Sequence, residues 1–241
     1  MSASNNPFPA GQSPLLCYVT DRRSLPVANT TDLIAALTSR IAEVAAAGVD
    51  WVQIREKELT ARELASLARK SLEMVSASSP ENSRTARILV NDRLDVAIAE
   101  RAGGVHLGEH SLPVAEAQRL VESAHRKLAV DASFLIGVSC HSLESTQAAE
   151  RDGADYIFFG PIFPTPSKRQ FGPPQGIQSL QQVCRTVSVP VLAIGGVTLD
   201  NAASCIHAGA AGVAAIRLFQ DALDPISAVD RLRQVVTDSH P

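Results

Sequence analysis

Short apolar runs of four to eight residues recur along the chain. Most are followed by a stretch whose apolar residues repeat every three or four positions. The runs are LLCYVT (15–20), WVQIR (51–55), ILVN (88–91), GVHL (104–107), FLIGVS (134–139), YIFFG (156–160), VPVLAIGG (189–196) and GVAAI (212–216). Between the first two, Leu33, Leu37, Ile41 and Val44 mark a helix that Gly48 would stop. After the second, Leu64, Leu67, Leu72 and Val75 mark another. The runs are apolar almost throughout instead of alternating, as strands of a parallel sheet covered on both faces should be. In EVAAAGVDWVQIR, ERAGGVHL, ERDGADYIFF and IHAGAAGVAAI a helix end, an Ala/Gly stop and a strand follow one another, with glycine expected as the left-handed cap. Eight strand–helix units predict an α/β fold, a single (β/α)8 TIM barrel over 14–237 behind a disordered extension, 1–13. The alternative, a doubly wound open sheet, usually carries a glycine fingerprint after its first strand; here Thr20 leads into DRRSLP.

Composition narrows the function. The 241 residues are 45% hydrophobic and carry a formal net charge of -3, which argues against a nucleic-acid-binding surface. Aromatics make up 4%, too few for a base-stacking platform. No apolar run approaches the roughly 18 residues of a membrane span, and the N-terminus lacks the basic start and apolar core of a signal peptide. Cys17, Cys140, Cys184 and Cys205 have no metal-site or disulfide spacing, so a cytoplasmic setting and small buried side chains are expected.

In a parallel barrel the chemistry sits at the strand C-termini and in the loops that follow. Those positions hold Gln53, Arg55 and Lys57 after the second run, Asn91 and Asp92 after the third, and HLGEHSLP at the fourth. Ser139 and His141 end the fifth, and Thr165, Ser167 and Lys168 follow the sixth. Gly195 and Gly196 end the seventh, and Ile216 and Arg217 the eighth. Arg55, Lys57 and Lys168, with hydroxyls around one rim, suit a ligand carrying phosphate or diphosphate. Asp92 among cations suits Mg²⁺, which takes carboxylate and phosphate oxygens. Gly195-Gly196 before Thr198, and the turn after Ile216, match the phosphate site barrels build after strands 7 and 8.

Plainer uses exist for each group. Arg55, Glu56 and Lys57 could be a solvated, ion-paired rim worth under about 1 kcal/mol. Asn91 and Asp92 could cap a helix starting near Leu94. The glycine pair could be only a tight turn, and His141 could serve a helix start. His106, within a strand, is expected to point into the barrel or its shell. In GPIFPTPSKRQFGPPQG (160–176) the prolines restrict the backbone, so Thr165, Ser167 and Lys168 would reach the rim at low ordering cost. The later part would form a mobile cover hinged at Gly172.

QIREK (53–57), VNDRLDVAI (90–98), GGVHLG (103–108), GVSCHS (137–142), GPIFPTPSK (160–168) and LAIGGVT (192–198) occur in one order. Together they resemble the thiamine phosphate synthase family, which also contains the thiazole tautomerases. The resemblance implies a (β/α)8 barrel that joins hydroxymethylpyrimidine diphosphate to hydroxyethylthiazole phosphate and releases diphosphate, with Mg²⁺ as cofactor. It implies that Gln53, Arg55, Lys57, Asn91, Ser139 and Lys168 hold the pyrimidine diphosphate. Arg55, Lys57 and Lys168 would stabilise the leaving group. Thr165 and Ser167, Gly196, and the backbone around Ile216 and Arg217 would hold the thiazole phosphate. Asp92 is the implied metal ligand. Ser111 stands where synthases carry a second aspartate, with Glu109 two residues earlier, and Arg217 stands where they commonly have serine. In the tautomerase branch a histidine aligned with His141 is the acid/base, so isomerisation of a thiazole carboxylate phosphate is the alternative activity. A non-catalytic regulator that binds phosphorylated ligands is a further one. The partners are thus small phosphorylated molecules, neither nucleic acid nor membrane, and homo-oligomer formation is left open.

Overall fold

The computed structural model describes residues 13–25, 32–78, 85–128, 131–165 and 173–239. Its strands are β1 (Leu15–Val19), β2 (Trp51–Ile54), β3 (Arg87–Asn91), β4 (Gly104–Leu107), β5 (Leu135–Cys140), β6 (Tyr156–Phe159), β7 (Val191–Ile194) and β8 (Gly212–Ala215). Each is parallel to its sequence neighbour, and β1 also pairs with β8, so the ladder closes into the expected eight-stranded barrel. The helices between strands are α1 (Leu33–Ala46), α2 (Ala61–Ser78), α3 (Leu94–Ala99), α4 (Val114–Leu128), α5 (Leu143–Arg151), α6 (Gly176–Thr186) and α7 (Ala202–His207). A four-residue helix, α8 (Arg217–Gln220), follows β8, and α9 (Pro225–Asp238) closes the ring. Of the extension expected over 1–13, only residue 13 is described; among the described residues no helix is long and apolar enough to cross a membrane.

Alternate residues of a strand face opposite ways, and the two faces build two separate cores. Leu16, Tyr18, Val52, Ile54, Val90 and Val105 pack outward against the helices. Cys17, Trp51, Leu89, Tyr156, Phe158 and Leu192 pack inward. The inner core takes large rings because other inward positions carry no side chain. A Cβ on Gly137 would lie 2.0 Å from the Tyr156 ring, which occupies the space in front of it. Trp51 and Tyr156 pack at a tilt, 4.7 Å between centroids, so aromatic rings plug the interior beneath the rim.

Several strands end earlier than their apolar runs suggest. Arg55 is not part of β2, since its N–H turns to the Thr20 hydroxyl at 2.9 Å. The seventh run shrinks from 189–196 to Val191–Ile194 because Gly195 and Gly196 turn away with φ of 93° and 69°. Left-handed glycines close the helix-to-strand joints at Gly48, Gly153 and Gly209, as expected; in ERAGG it is Arg101 that takes φ 53° instead. Cys17, Cys140 and Cys205 are buried free thiols, while Cys184 is half-buried.

Gly137→Ala should therefore destabilise the protein by about 1–3 kcal/mol, the usual range for overpacking a tight core. Urea unfolding of the variant beside the parent checks this, and an unchanged midpoint would mean the ring can move aside.

Candidate active site

At the C-terminal ends of β2, β3 and β4 the polar side chains form one connected chain. Gln53 points inward and is 2% exposed. Its Nε2 donates to Asn91 Oδ1 at 2.9 Å, and Asn91 Nδ2 donates to Asp92 Oδ2 at 2.9 Å. Asp92 Oδ1 then accepts the Gly108 N–H at 3.1 Å and the Ser111 hydroxyl. Asp92 adopts φ 60°, a left-handed conformation that short polar residues tolerate better than most because they can bond locally. The capping alternative for Asn91 and Asp92 does not hold. Arg93 stands at the N-cap of α3 with no side-chain cap bond, and both side chains are engaged across the rim.

Beside this chain, Ser139 Oγ lies 2.9 Å from His106 Nε2, and His106 Nδ1 lies 3.0 Å from the Tyr156 hydroxyl. His106 points into the barrel, as its place in a strand suggested, and sits against the Phe158 ring with centroids 4.3 Å apart. Burial pushes its pKa down to about 3, with the Asp92 charge opposing the shift and Arg55 adding to it. The imidazole is thus neutral at ordinary pH.

The motif residues after β2 divide in two. Glu56 is not part of a solvated rim; it is 3% exposed. Its carboxylate accepts from the Thr20 hydroxyl at 2.6 Å, from the Arg22 N–H at 3.1 Å and from Arg22 Nη1 at 3.3 Å. Burial raises its pKa against these hydrogen bonds. Thr20 in turn accepts the Arg55 N–H, so Glu56 ties the loop after β1 to the backbone that carries Arg55. Arg55 is half-buried and Lys57 exposed, and among the described residues neither has a carboxylate partner. A half-buried cation such as Arg55 is unfavourable to leave unpaired.

Across the rim, the loop after β6 is stitched to the end of β7. Ile162 N–H donates to Ile194 C=O at 2.9 Å, and Phe163 N–H to Gly195 C=O at 3.0 Å. Gly196 packs so closely on this loop that a Cβ there would be 2.8 Å from Phe163 and from the Pro164 carbonyl. Asn201 holds the turn from the other side, donating to Gly196 C=O at 3.0 Å and accepting Thr198 N–H at 2.8 Å. Thr165 follows directly on the Phe163–Pro164 segment packed over Gly196. Ser167, Lys168 and Gly172 lie outside the described residues. Ile216 packs on the inner core, and Arg217 is exposed at the start of α8, in the place where barrels build a phosphate site. His141 does not cap a helix with its ring: Ser142 caps α5, in a reciprocal pair with Ser145. The His141 ring contacts the Gly160 carbonyl through Nδ1; a carbonyl only accepts, so Nδ1 carries the hydrogen.

The donor set of Asp92 and Ser111 fits Mg²⁺ in one form only. Among the described residues no group of three or more His, Cys, Asp or Glu side chains could hold a metal. One carboxylate and one hydroxyl suit an ion that brings most of its coordination from water and from substrate phosphate. Sequence reasoning missed Glu56, Thr20, Asn201 and the His106–Tyr156 pair. Counting inward parity along β4, β5 and β6 would have placed His106, Ser139 and Tyr156 on one face.

A closed parallel barrel whose C-terminal rim carries the Asp92 carboxylate, glycine turns and, among the described residues, two cations without a carboxylate partner has the layout of a (β/α)8 barrel enzyme, with its polar groups at the strand C-termini. The model of the thiamine monophosphate synthase family matches residues 24–219. A putative thiamine-phosphate synthase of Geobacter sulfurreducens is 41% identical over 210 residues, 87% of this chain and 88% of the relative. The thiamine-phosphate synthase of Roseiflexus castenholzii is 37% identical over 230 residues, 95% of this chain and 90% of that one. The solved thiamine phosphate pyrophosphorylase of Pyrococcus furiosus superposes with a TM-score of 0.76 at 29% identity, covering 93% of this chain and 96% of its own. The chain belongs to the thiamine monophosphate synthase family.

The buried His106 has a consequence for stability. Its folded pKa of about 3 lies below the ordinary 6.5, so between these values the unfolded chain binds a proton that the native one refuses. Its contribution is complete above pH 6.5 and is lost as pH falls towards 3. The limiting slope is about 1.4 kcal/mol per pH unit. Urea unfolding across this range should show a shallower acid limb in His106→Asn than in the parent; parallel limbs would contradict the assignment.

Proposed function

We propose that this chain is a thiamine-phosphate synthase, a transferase that joins hydroxymethylpyrimidine diphosphate to hydroxyethylthiazole phosphate and releases diphosphate. Family membership supports the reaction class. The observation that carries the site assignment is the pair Arg55 and Lys57. They are cations without carboxylate partners among the described residues, two and four positions after Gln53, which begins the Gln53–Asn91–Asp92–Ser111 chain.

In this reading Gln53, Asn91, Arg55, Lys57, Ser139 and Lys168 hold the pyrimidine diphosphate. Thr165, Ser167, Gly196 and the backbone at Ile216 and Arg217 receive the thiazole phosphate. Asp92 and Ser111 would hold Mg²⁺, which supplies charge neutralisation for the diphosphate when bound. The bond between the pyrimidine methylene carbon and the diphosphate oxygen breaks, and its electron pair leaves with the diphosphate. The methylene cation is stabilised by the pyrimidine ring. The thiazole nitrogen then gives its lone pair to that carbon, and no proton need move. Arg55, Lys57 and Lys168 stabilise the charge growing on the leaving oxygens, the kind of preorganised electrostatics that usually contributes most. Orientation is the task of the neutral side chains: the 2.9 Å contact with Gln53 fixes which face Asn91 presents. The setting in this reading is the cytoplasm.

Two measurements test this. Purified protein given both substrates should release diphosphate only while Mg²⁺ is present, and a chelator should stop it. No release, together with isomerisation of a thiazole carboxylate phosphate, would replace the synthase with a tautomerase; binding without turnover would replace it with a regulator. Arg55→Ala and Lys168→Ala should each lower turnover about 10²–10³-fold, the usual loss on removing one such contact. Near-parent rates for either would remove that residue from the site.

A further inference from the structure

Ser139 reaches the rim, yet among the described residues its hydroxyl has one hydrogen-bond partner, His106 Nε2 at 2.9 Å. The Tyr156 hydroxyl likewise has one, His106 Nδ1 at 3.0 Å. A neutral imidazole carries a hydrogen on one nitrogen and a lone pair on the other, so this line can be wired in two directions. With the hydrogen on Nδ1, His106 would donate to the phenol oxygen. The phenol hydrogen would then be left without an acceptor, deep in the aromatic interior where Tyr156 is fully buried. Orphaning a buried donor is unfavourable. With the hydrogen on Nε2, Tyr156 O–H donates to Nδ1, Nε2–H donates to Ser139 Oγ, and every buried donor is satisfied. Burial keeps the phenol and the imidazole of the wire in the states this needs. The phenol is held well above its ordinary pKa of 10, and the imidazole is held neutral.

We infer that Tyr156 and His106 are positioning residues that fix the direction of the Ser139 hydroxyl. With its oxygen already accepting from Nε2–H, Ser139 presents its hydrogen to the rim and acts there as a donor. A donor suits an anionic oxygen of the ligand, whereas the opposite wiring would turn the serine's lone pairs towards negative charge. This rests on the reading that Ser139 lies in the pyrimidine diphosphate's site, and it adds the buried pair that prepares it. Gly137 is part of the same device. It leaves room for the Tyr156 ring, and it pairs in register with His106 on one side and Tyr156 on the other.

The test uses the full chain labelled with ¹⁵N-histidine, without ligand, and long-range proton–nitrogen NMR; the His106→Asn variant identifies the signals. The expected result is a bare Nδ1 and a protonated Nε2 on His106, a preference that Tyr156→Phe removes. A protonated Nδ1 in the parent protein overturns the inference. In kinetics, Tyr156→Phe should raise KM for the pyrimidine diphosphate about tenfold, the scale of one net hydrogen bond. It should add almost nothing in a Ser139→Ala background, since the wire then has no end. An equal penalty in both backgrounds would make Tyr156 a packing residue and overturn the inference. The NMR arm needs no substrate, so a wrong tautomer is distinguishable from failure of the synthase reading, which the diphosphate assay reports separately.

Discussion

Closure of the ladder, with β1 paired to both β2 and β8, is the constraint on which the rest of this structure depends. A closed parallel sheet leaves each strand two registers to satisfy, so no strand can slip by one residue without turning its side chains to the other face. Inward parity is thereby fixed for all eight strands together. It places Gln53, Asn91, His106 and Ser139 on one side of the sheet. Asn91 is in register with His106, and His106 with Gly137 two residues before Ser139. The hydrogen bonds among these side chains follow from that register, because neighbouring inward positions on adjacent parallel strands lie close enough to bond.

The rim built on this frame is held in two different ways. On the β1–β2 side, the buried Glu56 carboxylate gathers Thr20 and Arg22, and Thr20 gathers the Arg55 N–H. Removing such a carboxylate strands several donors at once, which makes this sector resistant to local opening. On the β6–β7 side the bonds are between backbones, from Ile162 and Phe163 to Ile194 and Gly195, with Gly196 pressed under the loop. Two more bonds, Gln175 N–H to Pro161 C=O at 2.7 Å and Gly176 N–H to Ile162 C=O at 3.1 Å, clamp the far end of the same loop. Its base is fixed at both ends.

Much of this is legible in the residues. Nearly continuous apolar runs such as YIFF and VLAI announce strands buried on both faces, and the glycine after a helix end announces most joints. The ends of strands are harder to read, because they depend on competing partners: β2 stops where a hydroxyl from another loop takes the Arg55 N–H. Glu56 reads as solvated from its charged neighbours, and only Thr20 and Arg22, more than thirty positions away, reveal it as a buried acceptor. Taken alone in sequence, Asn91 and Asp92 read as a helix cap, the commonest use of such residues, ahead of a ligand site. The left-handed Asp92 backbone and the approach of Gly108 and Ser111 separate the two. The His106–Tyr156 bond joins residues fifty positions apart and leaves no local trace beyond shared parity.

The missing side chain at Gly137 reaches beyond packing. Its space is filled by a ring whose hydroxyl meets His106, and His106 meets Ser139 on the same strand as the glycine. Four positions on three strands therefore interlock, and a larger residue at position 137 collides with the ring before any compensating change exists. Single-step drift through this floor is obstructed, while rim positions such as Arg217, exposed and free of that interlock, can be exchanged one at a time. New specificities within this lineage would then be written on the rim, with the floor inherited as a block.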